Sequence, residues 1–181
     1  MAMDEAGLQA AARRSYEAGR VRAAVVSAMP AFPMAAASLL GCGRPAASVA
    51  IGSILFSCVV VLRWRGGARG RGAMAGMVAG IAPLLIPIVA RAVHVCSGGT
   101  CYVPISACLV GGVAAGALVG AVAARRADGR TMFLISASLV ACLAGMMGCL
   151  VAGLGGVLGL AGGMAFAGFP AFAVSRMVSR A

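Results

Sequence analysis

Of 181 residues none is lysine and none asparagine, histidine occurs once, and no aspartate or glutamate lies between Glu17 and Asp128. Each absence removes a class of function. Proton-coupled transporters and intramembrane proteases need ionisable groups deep in apolar segments, and cation pores ring themselves with carboxylates. The long apolar stretches of this chain hold no charged residue or histidine in their interiors. There is no nucleotide-binding glycine loop, no Ser-His-Asp set and no Cys-x-x-Cys-His haem signal. No enzymatic activity and no cofactor are expected. The missing lysine and asparagine, beside abundant alanine, glycine and arginine, fit a GC-rich genome and hence a bacterium.

Apolar residues make up 62 % of the chain, charged residues only 10 %, and the mean hydropathy is +1.02. Soluble domains are about half apolar. Charges cluster, and between clusters the chain runs apolar for the 18 or more residues that cross roughly 30 Å of hydrocarbon. The expected spans are Ala23 to Leu40, Ala46 to Leu62, Gly72 to Ala90 and Pro104 to Ala124. Thr131 to Ser175 is uncharged for 45 residues. As a single helix it would measure about 67 Å, twice a bilayer. It is expected to fold back at the glycine-rich Gly153-Leu154-Gly155-Gly156, giving spans Thr131 to Ala152 and Val157 to Ser175. The expected fold is thus an all-α, polytopic bundle of six spans over residues 23–175, with cytoplasmic tails at 1–22 and 176–181.

The net charge of +11 is carried entirely by arginine. With the N-terminus inside, Arg13, Arg14, Arg20, Arg22, Arg63, Arg65, Arg69, Arg71, Arg125, Arg126, Arg130, Arg176 and Arg180 share one side, against Arg44 and Arg91 on the other. This positive-inside bias orients the chain with both termini in the cytoplasm, in a bacterial inner membrane. Arginines beside apolar runs bind anionic headgroups. The lipid bilayer is therefore the expected partner and nucleic acid is not. Trp64 and Tyr102 fall at span ends and Tyr16 in the N-terminal tail, where Leu8, Ala12 and Tyr16 share a helical face if that tail is a juxtamembrane helix rather than solvated coil.

Glycine recurs at every fourth position three times: Gly72, Gly76, Gly80; Gly112, Gly116, Gly120; Gly155, Gly159, Gly163. Small residues at this spacing let helix backbones approach, which matters in lipid because no hydrophobic force draws helices together. Matched by depth in antiparallel hairpins, Gly76 falls near Gly120, Gly80 near Gly116, Gly145 near Gly163 and Cys149 near Gly159. An oligomer interface, or plain glycine abundance, are the alternatives. Pro30 and Pro33 in the first span, and Pro83 and Pro87 in the third, are expected to kink their helices.

Cys58, Cys108, Cys142 and Cys149 lie within spans and are expected to pack as small apolar residues. On the non-cytoplasmic side, Cys96 and Cys101 flank Ser-Gly-Gly-Thr and are the expected disulfide in an oxidising compartment. The alternative there is a metal set of Cys42, His94, Cys96 and Cys101, whose spacing matches no standard zinc motif. Leu39-Leu40-Gly41-Cys42 is a degraded lipobox, with an uncleaved anchor as the alternative. Two functions survive these exclusions. One is a structural, accessory or regulatory membrane protein, alone, as a homo-oligomer or with a membrane-complex partner. The other is a passive channel or transporter for a neutral or anionic solute.

Overall fold

The computed structural model describes residues 5–42, 45–93, 103–126, 128–149 and 153–178. They form seven helices: α1 (Glu5–Ala28), α2 (Ala31–Cys42), α3 (Pro45–Arg65), α4 (Gly67–Val93), α5 (Val103–Ala124), α6 (Arg130–Cys149) and α7 (Gly153–Val178). The described residues are 95 % helical and include no strand. Six helical stretches are long and apolar enough to cross a membrane, α1 and α2 counting together as one.

The first expected span is two helices, because its prolines break it rather than bend it. Pro30 and Pro33 have no N–H to return to the carbonyls of Val26 and Met29 four residues earlier. Those carbonyls accept instead from residues three along: Met29 N–H to Val26 at 3.2 Å and Phe32 N–H to Met29 at 3.0 Å. The tightened turn separates α1 from α2. Pro83 and Pro87, by contrast, lie inside a continuous α4, and Pro170 is a third interior case, in α7. The N-terminal segment is part of α1, with residues 7–22 exposed on every face, Leu8, Ala12 and Tyr16 included.

Glycine closes the α3–α4 corner. Gly66 and Gly67 adopt φ of 71° and 61°, a region in which other residues are strained, and Gly66 N–H reaches the carbonyls of Leu62 and Arg63. The segment expected to turn, Gly153-Leu154-Gly155-Gly156, is instead the start of a helix. Helix α6 ends at Cys149 and α7 already begins at Gly153, so Leu154, Gly155 and Gly156 are helical.

Two clusters fill the interior. Leu55, Val59, Met77, Leu84, Val140 and Met147 lie where α1–α3 meet α4 and α6. Cys108, Val119, Phe133, Leu160 and Met164 lie where α5, α6 and α7 meet. The arginines at the end of α3, the start of α4 and the α5–α6 loop gather at one end of the bundle, the basic end. There Gly129 of the loop lies against Ala68 of α4.

Candidate functional site

The glycine ladders meet partners other than those expected. Helix α4 packs on α6 and α5 on α7, so each ladder faces a parallel neighbour two helices away in sequence rather than its antiparallel hairpin partner. Gly72 lies against Phe133 and Ser136, Gly76 against Ala137 and Val140, and Gly80 against Ala141 and Ala144. On the other seam Gly112 meets Leu160, Gly116 meets Met164, and Gly163 meets Leu109 and Val113. The expected pairs Gly76–Gly120, Gly80–Gly116 and Cys149–Gly159 are replaced, and Gly145 meets Leu160 and Pro83 instead of Gly163. Matching by depth allows both arrangements; it does not say which face of each helix turns toward which neighbour.

The contacts are specific as well as close. A glycine Hα lies along the direction a side chain would take. At Gly72, Gly76, Gly112, Gly116 and Gly163 that direction runs into a partner carbonyl oxygen, of Phe133, Ala137, Leu160, Met164 and Leu109 respectively. A methyl at Gly163 would lie 2.6 Å from the Leu109 oxygen. Each seam is therefore a short ladder of Cα–H···O contacts, worth about 0.5–1 kcal/mol apiece. Gly155 and Gly159 stand at ordinary van der Waals distance from Ile105, so their seam is looser toward the start of α7. Gly120 lines a crevice instead.

Pro83 is the hub of the interior. Fully buried, it is surrounded by Gly111 of α5 and by Gly145 and Gly148 of α6. Pro87 has no N–H to return to the Pro83 carbonyl. That oxygen faces Gly148, where an added methyl would come within 2.7 Å. Next to this hub Cys108 and Cys149 form a disulfide joining the first turns of α5 to the last turn of α6, with a Cα–Cα separation of 6.1 Å. Both are fully buried. The expectation that all four span cysteines pack merely as small apolar residues is corrected for this pair; Cys58 and Cys142 are free thiols. A signal was present: Cys108 and Cys149 each lie about one turn from the same end of adjacent spans.

A second unexpected group is polar. The Ser38 and Ser48 hydroxyls are 2.9 Å apart, and Ser38 donates to the Met147 carbonyl at 2.9 Å, tying α2, α3 and α6 together. Both serines are completely buried.

At the basic end the arginines are built into the bundle. Arg63 Nε donates to Ser27 Oγ at 3.0 Å, and Arg20 donates to the Trp64 carbonyl. Arg130 caps α5, donating to the carbonyls of Ala124 at 3.1 Å and of Arg126. The Arg126 guanidinium stands 4.9 Å from the centroid of the buried Phe133 ring, and its Nε is buried without a hydrogen-bond partner among the described residues. Arg69 reaches the Met132 sulfur at 3.8 Å.

The chain matches no known protein family, curated protein or solved structure. Its functional reading rests on the seams, the staple and the arginine rim. The candidate disulfide Cys96–Cys101 and the metal set with His94 lie outside the described residues, as does the side chain of Cys42.

Proposed function

We propose that this protein is a six-span component of the bacterial inner membrane, both termini cytoplasmic, with a structural or accessory role rather than a transporting or catalytic one. The observation that carries the reading is the closure of both seams by backbone contact. A conduit needs a lined path. Here the polar residues buried as a whole among the described residues are Ser38, Ser48 and Ser136, and each is engaged in hydrogen bonds inside the bundle; the one buried side-chain nitrogen without a partner, Arg126 Nε, lies at the basic end. The crevice between α5, α6 and α7 and the cavity between α2 and α3 are both lined mainly by apolar groups. The orientation is supported by the arginine-rich end, which belongs in the cytoplasm under the positive-inside rule.

Reconstitution tests the role. Proteoliposomes carrying the purified protein should pass glycerol, urea and chloride no faster than protein-free vesicles; facilitated flux of any of these would establish the alternative, a passive channel for neutral or anionic solutes. Alkaline phosphatase fusions test orientation separately. Fusions after Arg44 and Tyr102 should be active and those after Arg69 and Asp128 inactive, and activity at Asp128 would refute the topology.

A further inference from the structure

Cys142 and Met146 stand four residues apart on α6, so their side chains share one face of the helix. Cys142 is a free thiol. Its Sγ lies 3.5 Å from the Sδ of Met164 on α7, and the thiol donates to the thioether. Met146, one turn beyond Cys142, packs against the same cluster, of which Met164 is a member. Two helices therefore bring one thiol and two thioethers together where α5, α6 and α7 meet. The backbones that carry them are held in place. The Met164 carbonyl lies against Gly116, and Gly145, the residue before Met146, lies against Leu160 and Pro83.

Thiolate and thioether sulfurs, with neither imidazole nor carboxylate beside them, are the donor set of soft cations. Charge narrows the choice to a monovalent one. Residues 131–175 contain no acidic or basic side chain. A monovalent ion on a single thiolate is neutral, whereas a divalent ion would leave a net charge buried among apolar helices. The spacing agrees. Metal–sulfur bonds of about 2.3 Å set three sulfurs about 4 Å apart around one ion. The Cys142–Met164 pair needs to open by about half an ångström, a shift that the unbranched methionine chain supplies. Met164 is also one wall of the apolar crevice of about 310 Å³ between the three helices, so open space adjoins the pair.

We propose that Cys142, Met146 and Met164 form a three-sulfur site for one soft monovalent cation, of which the cuprous ion is the type. Binding exchanges a proton for the ion. The Cys142 S–H bond breaks, the proton leaves to bulk water, and the thiolate and both thioethers donate electron pairs to the metal, whose oxidation state does not change. The ion must arrive already reduced. Once bound it ties α6 to α7, two helices whose glycine seams run to other neighbours, α4 and α5. The proposal needs neither the structural role nor the orientation proposed above, so solute flux or fusion results leave it standing.

The test uses the full-length chain in detergent, carrying Cys42→Ser, Cys96→Ser and Cys101→Ser so that Cys58 and Cys142 are its free thiols. Cuprous ion is offered under ascorbate without oxygen, in competition with a coloured chelator, and zinc is offered separately. The protein should take one cuprous ion and no zinc, and X-ray absorption at the copper edge should show sulfur neighbours alone. Cys142→Ala should abolish the uptake, whereas Cys58→Ala should leave it unchanged. Met164→Leu and Met146→Leu keep the side-chain volume but remove a sulfur, and each should weaken binding by about ten- to a hundredfold, the usual cost of a lost supporting group at a metal site. Melting of the metal-free variants with the parent shows that these losses are not unfolding. Bound cuprous ion should also raise the parent's melting temperature and not that of Cys142→Ala. No uptake by the parent, equal uptake by Cys142→Ala, equal affinity in a normally melting Met164→Leu or Met146→Leu, or zinc bound as well as copper would each overturn the proposal.

Discussion

Helices α4 and α6 bury 50 % and 56 % of their apolar windows, whereas α3 buries 22 % and the α1–α2 segment 28 %. The two regions are also held by different chemistry. Across α4·α6 the backbones meet at glycine, and carbonyl oxygens take Cα–H contacts directly. The outer layer of α1–α3 is fastened by side chains: Ser48 to Ser38 and Ser38 to α6, Arg63 to Ser27, and the Phe32 and Phe56 rings 5.3 Å apart. That layer also leaves a cavity of about 400 Å³ along Phe32, Gly52 and Phe56. Helix α7 shows that burial and attachment are separate matters. It buries only 22 % of its window, like α3, yet Gly112, Gly116 and Gly163 seat it directly on α5.

The sharpest way to break this comparison is to overfill a seam. Gly116→Leu pushes a branched side chain into the Met164 backbone, where even a methyl has no room. Overpacking of this kind costs about 1–3 kcal/mol, and the upper part of that range applies where backbone rather than side chain must yield. Leu118, two residues on, is 41 % exposed and turned from the seam, so Leu118→Ala should be nearly silent. Thermal melting in detergent compares them. Equal melting temperatures would show that the seams contribute no more than any apolar surface.

The disulfide sharpens the same contrast, because it fastens the tight region and not the loose one. Cys108 and Cys149 are separated by 41 residues, a closure worth about 2–4 kcal/mol by chain entropy. The lower figure is expected, since helices in a membrane-like environment remain formed when their packing is lost. The Cys108→Ala/Cys149→Ala protein should therefore melt lower than the parent, and reductant should lower the parent toward it. In denaturing detergent without reductant, Cys58 and Cys142 should alkylate while Cys108 and Cys149 do not. Alkylation of all four in oxidised protein would remove the staple from the account.

What was legible in the sequence divides along physical lines. Apolar run length locates the six helical stretches long enough to cross a membrane, because such a length is a one-dimensional constraint. The ladders Gly72–Gly76–Gly80 and Gly112–Gly116–Gly120 show which faces are small. They do not show what fills the space, and the partners proved to be α6 and α7 rather than each other. The same limit hid the Cys108–Cys149 pair, whose depths agree but whose facing depends on helix rotation. Pro30 and Pro33 were readable as disturbances, but not the three-residue hydrogen bonds that turn a kink into a break. Gly111 and Gly148 fall outside any ladder, so nothing in their spacing announces the nest for Pro83.

The smallest expected effect lies in the outer layer and asks whether the two regions melt as one. Ser38→Ala deletes the hydroxyl bonded to both Ser48 and the Met147 carbonyl, whereas Ser48→Ala leaves the Met147 bond in place. Hydrogen bonds between membrane helices average about 0.6 kcal/mol and reach about 1.7. Ser38→Ala should sit near the upper value, since both bonds of the node are lost, and Ser48→Ala near the lower, since one is. If side chains fasten α2 independently of the seams, the loss will appear as local opening. Hydrogen exchange in α2 should quicken in Ser38→Ala while α4 and α6 keep the parent's protection, and the main melting transition should barely move. Equal quickening in all three helices would mean that the serine node and the glycine seams belong to one cooperative unit. In that case the difference in adhesive would carry no difference in stability.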